Sequence, residues 1–518
     1  LGNHWAFDTR ISNIQSDGYR DRATSDLKSY FLQGGYYGEN TTLKLIAFGG
    51  KEKTYHAWDG ISREQLETDR TYNPNGAIKD DNLNKGNIIG FYDDQTDNYE
   101  QTNYQLIFNH LFSPEWHLNI ALHYTDGFGY YQEYKNGRTL EEYGLKPFYL
   151  PENTEAQTKT NLVRQKLVDS GFGGGVFSVD YKDEKLSASL GGGLNHYSND
   201  HYGKVIWVKN YTEPLNPDHE YYRNNGSKTD GNIYAKANYQ ITKGLHAYAD
   251  LQYRYISYKI EGDNDKWDWT ADPGHLQCLN VNEDFSFFNP KAGLFWQFNP
   301  NHSAYASFAV AQKEPTRNNY TDGLFDELPR PEKMLDYELG YTFRNSRFTA
   351  GVNLYYMDYT DQLVLNGKEN DIGEAMAENV KDSYRMGIEL SLGARITDWL
   401  RWDLNGTWSK NRIKNYTGYM SDYNQNWKEL YTQTAIYAGD TPISFSPSFM
   451  GNSLISFNYK GFDASLQSQY VSRQYLDNFG IDENSLDPYF VNHLSLAYSF
   501  KLPSVKQITL GATIYNLF

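Results

Sequence analysis

The chain has 518 residues, of which 39% are hydrophobic and 16% aromatic, with a formal charge of −17. No run of about 18 to 20 apolar residues occurs, which excludes a helical membrane protein, and the acidic balance argues against nucleic acid, which attracts basic faces. One cysteine, Cys278, excludes an intrachain disulfide and reads as an inert thiol, while 46 Tyr, 27 Phe and 11 Trp exceed what a core alone needs.

In chain order, the first residues, LGNHWAFDTR, lack a charged n-region followed by an apolar h-region, so no signal peptide is read there. Period-2 alternation, the mark of strands, then recurs: Leu186–Leu194, Leu245–Tyr255, Ala304–Val310, Phe348–Tyr356, Phe462–Tyr470 and Ile508–Ile514. In LHAYADLQYRY, Leu245, Ala247, Ala249, Leu251, Tyr253 and Tyr255 share one face, and His246, Tyr248, Asp250, Gln252 and Arg254 share the other.

The connections alternate in length. Short turns are expected at Tyr37–Asn40, Ser113–Trp116, Lys182–Lys185, Thr242–Gly244, Asn299–His302, Arg344–Arg347, Thr397–Trp399, Lys460–Gly461 and Leu502–Lys506. Between them lie long polar segments, approximately 51–99, 136–158, 201–229, 261–281, 313–332, 360–379, 413–445 and 475–488. A barrel crossing a bilayer sorts its connections in this way, with tight turns on one rim and long loops on the other. Lipid would then cover Leu245, Ala247, Ala249 and Leu251, and Tyr253 and Tyr255 would sit in an aromatic girdle at the headgroups.

The expected fold is therefore all-β, a large antiparallel transmembrane barrel over 1–518, with about nineteen strands in this chain. Bacterial barrels have even strand counts. With the short turns periplasmic, a complete barrel of 22 strands would need two more before Leu1 and one more after Phe518, so the chain is expected to be a partial barrel whose Phe518 is not the closing aromatic.

Particular blocks carry a family likeness. Pro331–Asp361 (PEKMLDYELGYTFRNSRFTAGVNLYYMDYTD), Phe288–Gly293 (FNPKAG), Ala304–Phe308 (AYASF), Asp382–Glu389 (DSYRMGIE) and Tyr515–Phe518 (YNLF) resemble blocks of TonB-dependent outer-membrane receptors, in the family's order. Gly127–Tyr134 (GFGYYQEY) is similar to receptors of the Bacteroidetes lineage. The resemblance implies active import of a scarce ligand across the outer membrane, with energy from the TonB–ExbB–ExbD complex, and implies no enzyme. It also implies a plug domain and a TonB-pairing box, neither of which is in this sequence. A surface lipoprotein cap is compatible with it.

Candidate ligand residues follow. Tyr55, His56 and Trp58, and Tyr197, His201, Tyr202 and Trp207, mix His with aromatics on the outer side, where they would stack on a ligand or bind iron; a girdle role is the preferred alternative. In Lys313–Asp322 (KEPTRNNYTD), where the family's strand enters an outer loop, Arg317 could grip a carboxylate or catecholate through both its nitrogens and Tyr320 could stack on it, against the alternative of a salt bridge from Arg317 to a loop acid. Asp263, Asp265 and Asp268 cluster as calcium ligands do, without the EF-hand glycine or closing glutamate, so a solvated acidic loop is preferred; Asp93, Asp94 and Asp97 are read in the same way. Haem receptors of the family carry FRAP and NPNL motifs with a His between them, and the span QKEPTRNNYTDGLFDELPRPE has none. A ferric siderophore is thus the expected cargo, with iron arriving as part of it and no cofactor required. Cobalamin or haem import, a passive porin and a surface-binding barrel are the alternatives.

Overall fold

Each alternating stretch pairs with its neighbour in the chain, so that one antiparallel sheet of twenty strands accounts for most of the protein. The computed structural model describes residues 2, 4–80, 85–151, 154–216, 219–268, 271–321, 328–369, 375–423 and 429–517. The strands are β1 Trp5–Ser16, β2 Ser25–Tyr37, β3 Thr41–Tyr55, β4 Thr96–Leu111, β5 Trp116–Thr139, β6 Lys159–Lys182, β7 Leu186–Val208, β8 Glu220–Thr242, β9 Leu245–Asp268 and β10 His275–Asn299. They continue with β11 His302–Lys313, β12 Glu332–Arg344, β13 Phe348–Glu369, β14 Ala375–Arg395, β15 Leu400–Tyr423, β16 Glu429–Pro442, β17 Phe449–Tyr459, β18 Phe462–Val471, β19 Tyr489–Leu502 and β20 Val505–Ile514. Each of the nine expected tight turns joins consecutive strands. At Thr242–Leu245, Gly244 takes φ +105°, and a Cβ there would lie 2.5 Å from the Gln297 carbonyl oxygen, so the turn requires glycine.

Twenty strands occupy nineteen positions. The lower part of β15, Leu400–Trp408, pairs with β17, while its upper part, from Arg412, pairs with β16. β16 and β17 are thus two pieces of one wall position, broken at 443–448. There Ser444 donates to the Leu365 carbonyl (2.6 Å) and Arg385 donates to the Ser446 hydroxyl (2.9 Å), drawing the break inward. Among the described residues β1 pairs only with β2, and β20 only with β19.

The strands are longer than the sequence suggests. The polar segment 201–229 is largely the upper parts of β7 and β8, and 261–281 is largely the β9–β10 ladder. Backbone pairing does not need an apolar side, because the ladder satisfies N–H and C=O groups whatever the side chains. Polar composition therefore concealed these extensions.

Strand β9 shows how the faces are used. Leu251, Tyr253 and Tyr255 are 50%, 48% and 41% exposed, as residues facing lipid must be in a chain without its bilayer. Pairing carries the same face to Phe288 above and Trp296 below on β10. Those rings are eight positions apart, about 27 Å along the strand, which at a tilt of about 40° spans about 20 Å of membrane normal. Trp116, Tyr239, Trp296, Phe348 and Trp402 mark the lower girdle, and Tyr104, Tyr124, Tyr253, Phe288 and Trp408 the upper.

Above Tyr255 the pattern inverts. The outward residues become Ser257, Lys259 and Glu261, while Ile256 and Ile260 on the inward face are fully buried. Outside the bilayer water replaces lipid, so the apolar side turns into the lumen. There Ile256, Tyr258 and Ile260 pack with Leu279, Phe285 and Phe287.

Candidate ligand site on the lumen wall

The start of the β11–β12 connection, 314–321, turns back into the lumen. Directly after Lys313, Glu314 is buried, accepts from Lys228 and receives both terminal nitrogens of Arg254 (2.9 and 3.0 Å). Arg254 also grips Asp230 through Nε (3.0 and 3.1 Å) and Nη2. These are the inward residues of β8 and β9, so the alternation that puts Tyr253 and Tyr255 in lipid also puts Arg254 on the loop's anchor. A short helix, α1 (Arg317–Thr321), follows. Its Tyr320 packs edge-on to Tyr258 at 5.7 Å, and its Arg317 donates to the Asn224 side-chain carbonyl.

Next to this helix, β7 presents Tyr197, Asn199 and His201 on the same inward face. Asn199 Nδ2 donates to the Tyr197 hydroxyl (3.2 Å) and to His201 Nε2 (2.7 Å). Register places His201 opposite Asn224, which lies opposite Gly262, well above the girdle. Burial, reinforced by the Arg317 charge, lowers the His201 pKa to about 3, so the ring stays neutral in the cavity. Burial also raises the Tyr320 hydroxyl pKa. Four candidate residues, Tyr197, His201, Arg317 and Tyr320, therefore share one patch of lumen wall. Asp322, the end of the stretch that contains Arg317, lies outside the described residues.

The other candidates lie elsewhere. Tyr202 faces out of the barrel under the Arg223 guanidinium, 4.1 Å from its ring centre, and Trp207 lies beyond a bulge against Tyr134 at 6.0 Å. Tyr55 and His56 are buried under the 56–95 connection. The Tyr55 hydroxyl donates to the Tyr92 carbonyl (3.0 Å), and the His56 ring stacks on Trp58 at 3.8 Å. Burial lowers the His56 pKa to about 4, with the Glu133 carboxylate opposing the shift. These rings pack a loop down rather than open toward a ligand.

Asp263, Asp265 and Asp268, read as a solvated acidic loop with calcium as the alternative, lie on strand β9 instead. Among the described residues no group of three His, Cys, Asp or Glu side chains could hold a metal ion. Asp265 is instead neutralised by Arg164 (2.9 Å) and Lys166, two cations that belong to β6. Asp94 is likewise paired with Lys53 at 2.8 Å.

The Asp265 group was not legible in the sequence. Arg164 reaches both Asp265 and Glu133 (2.9 Å), and Arg164 and Glu133 are each only 4% exposed in their side chains. Burial raises the Glu133 pKa, but Arg164, Lys135 and Lys166 outweigh it and hold the carboxyl at about 2. Burial opposes ionisation of Asp265 too, and the same Arg164 and Lys166 charges hold it below the ordinary range. Inward parity above the girdle is the signal that would have found Glu133 and Arg164; no local pattern joins them to Asp265, about a hundred residues on.

A transmembrane sheet with two aromatic girdles and an inward-folded outer loop is a receptor-like arrangement, and comparison decides the family. Residues 35–517 match the family described as TonB dependent receptor-like, beta-barrel. The chain belongs to the TonB-dependent receptors. Its family places it in the bacterial outer membrane, among transporters that bind small ligands such as siderophores and use TonB, not among enzymes.

No curated protein matches the receptor in sequence. Among solved structures, the closed form of the ferric-catecholate import receptor Fiu from E. coli K12 is similar at 15% identity and TM-score 0.65, over all of this chain and 74% of that one. The unliganded ferric citrate transporter FecA is similar at 12% identity and TM-score 0.70, over 100% and 69%. The siderophore receptor PiuA from Acinetobacter baumannii is similar at 12% identity and TM-score 0.67, over 100% and 74%. At these identities the likeness is one of fold.

Proposed function

We propose that this receptor imports a ferric siderophore, driven by the TonB system, and that the Tyr197–His201–Arg317–Tyr320 patch contacts the chelate. The observation that carries this reading is the placement of Arg317 and Tyr320 on a helix folded into the lumen, beside inward Tyr197 and a neutral His201. Ferric chelates of catechol or carboxylate ligands are anionic and oxygen-rich, and catechol ligands present flat rings at their edge. A guanidinium matches such oxygens through two parallel N–H bonds, and phenol rings cover flat faces at low entropic cost. A neutral imidazole adds a hydrogen-bond partner without a second charge to desolvate. The names of similar structures, which include ferric-catecholate and ferric citrate receptors, support the same class.

The test has two arms. Abundance in native outer membranes is compared with iron withheld and in excess, cobalamin supplied in both, and uptake of radiolabelled iron chelates is followed with and without collapse of the proton-motive force. A rise on iron starvation together with energy-dependent uptake supports the proposal. Abundance indifferent to iron moves cobalamin forward, and uptake indifferent to energy removes TonB coupling.

A further inference from the structure

On the lipid-facing side of the barrel, β15 carries three cations in alternate positions directly above the upper girdle: Lys410, Arg412 and Lys414 follow Trp408 in the run WSKNRIK. Register fixes their height. Lys410 shares a rung with Met386, Tyr356 and Tyr337, three outward residues of the girdle. Arg412 is one rung higher, opposite Tyr384. Lys414 follows two residues further along β15. The three are thus spaced about 7 Å apart along the strand, from the girdle into the headgroup layer.

Their charge is poorly matched by the protein. Lys410 and Lys414 lie 6.0 and 5.7 Å from the Tyr384 ring centre. Asp358 approaches Lys414 at 3.8 Å, and among the described residues no carboxylate lies within 4.0 Å of Lys410 or Arg412. Elsewhere on the outward face above the girdle the balance differs, since Lys259 on β9 is flanked by Ser257, Glu261 and Asp284. In a chain of net charge −17, three outward cations against two outward acids, Asp358 and Asp382, form a local exception. Lysine and arginine at such a boundary run their stems along apolar surface and raise their charges into the headgroups.

We propose that this face of β13–β15 is a binding site for a phosphate-bearing lipid of the outer leaflet, its phosphates held by Lys410, Arg412 and Lys414 and its acyl chains lying against Trp408, Met386 and Tyr356. The occupant is a lipid because the cations sit at the height of its headgroups and continue from a surface already covered by acyl chains. More than one phosphate is implied, since one group cannot span cations spread over about 14 Å of strand. The site is independent of the imported ligand, which approaches from the lumen.

The receptor, purified from outer membranes in mild detergent, is titrated with diphosphoryl lipid A, with its dephosphorylated form and with phosphatidylethanolamine vesicles, and bound lipid is read by native mass spectrometry. Diphosphoryl lipid A is expected to bind tightest, and the triple variant K410Q/R412Q/K414Q to bind it roughly a hundredfold more weakly. The charge-preserving variant K410R/K414R is expected to keep the affinity, which separates lost charge from a damaged barrel. Wild-type affinity in the triple variant, equal binding of dephosphorylated lipid, or displacement by inorganic phosphate alone would each overturn the assignment.

Discussion

Arg164→Met is the substitution whose outcome the structure determines most fully. The guanidinium bridges Glu133 and Asp265 and also donates to the Tyr143 hydroxyl (3.3 Å), which anchors the cluster of Leu140, Tyr143, Leu145 and Phe148. Methionine fills much of the volume but leaves two buried carboxylates with Lys135 and Lys166 alone. Breaking a buried pair from one side costs about 3–5 kcal/mol. The Glu133 shift from 4.5 to about 2 corresponds independently to about 3 kcal/mol in favour of its ionised form. The loss should appear locally, as roughly a hundredfold drop in amide-exchange protection over Leu140–Leu145, measured by mass spectrometry on the purified receptor. Its pH dependence is specific. A depressed carboxyl pKa stabilises the fold above the ordinary carboxylate range, and that contribution fades as pH falls from about 4.5 toward 2. The protection gap between wild type and variant should therefore narrow over this window, because protonated Glu133 and Asp265 no longer need the cation. Unchanged protection, or a gap that stays constant down to pH 3, would refute the clamp.

Three further outcomes follow from the same structure. Arg317→Ala should weaken binding of an anionic ferric chelate by about 10- to 100-fold, the value of a charge-assisted contact, in a fluorescence-quenching titration with folding unchanged. Ala249→Arg, facing lipid midway between the girdles, should cost about 2–4 kcal/mol in denaturant unfolding in lipid, whereas Gln252→Arg on the lumen side should cost far less. Because His201 is held neutral down to about pH 3, its imidazole should show no titration between pH 5 and 8 by NMR, and a protonation midpoint inside that range would place it in water. Its stability effect has a definite sign: the unfolded ring takes up a proton below about 6.5 and the folded ring does not, so the fold loses stability from there toward pH 3.

Legibility differed between the membrane belt and what lies above it. Between the girdles, lipid on one side and lumen on the other give each residue a fixed sign, so the turns at Lys182–Lys185 and Thr242–Gly244, the outward face of β9 and the nineteen positions could be read directly. Above Tyr255 water lies outside, the inward face turns apolar, and segments such as 201–229 read as loop although they form ladders. The candidate site was half legible for the same reason. Tyr197 and His201 share parity, and a two-residue count suffices to pair them, but Tyr202 has the opposite parity and points away. The partners that α1 finds on β8 and β9 depend on a loop turning back into the lumen, which no period encodes. The aspartates at 263, 265 and 268 read as a solvated loop because proximity in sequence says nothing of a cation about a hundred residues earlier.

The break between β16 and β17 has a consequence for how such a receptor can change. In an unbroken strand, adding or deleting one residue reverses every side chain beyond it, so an altered outer loop threatens to push charge into lipid. Here residues 443–448 act as a register insulator. An insertion in 424–442 rephases only the short ladder with the top of β15, while Phe449–Tyr459 keep their alignment with Leu400–Trp408. At this wall position, a length change in the outer segment leaves the membrane ladder in register.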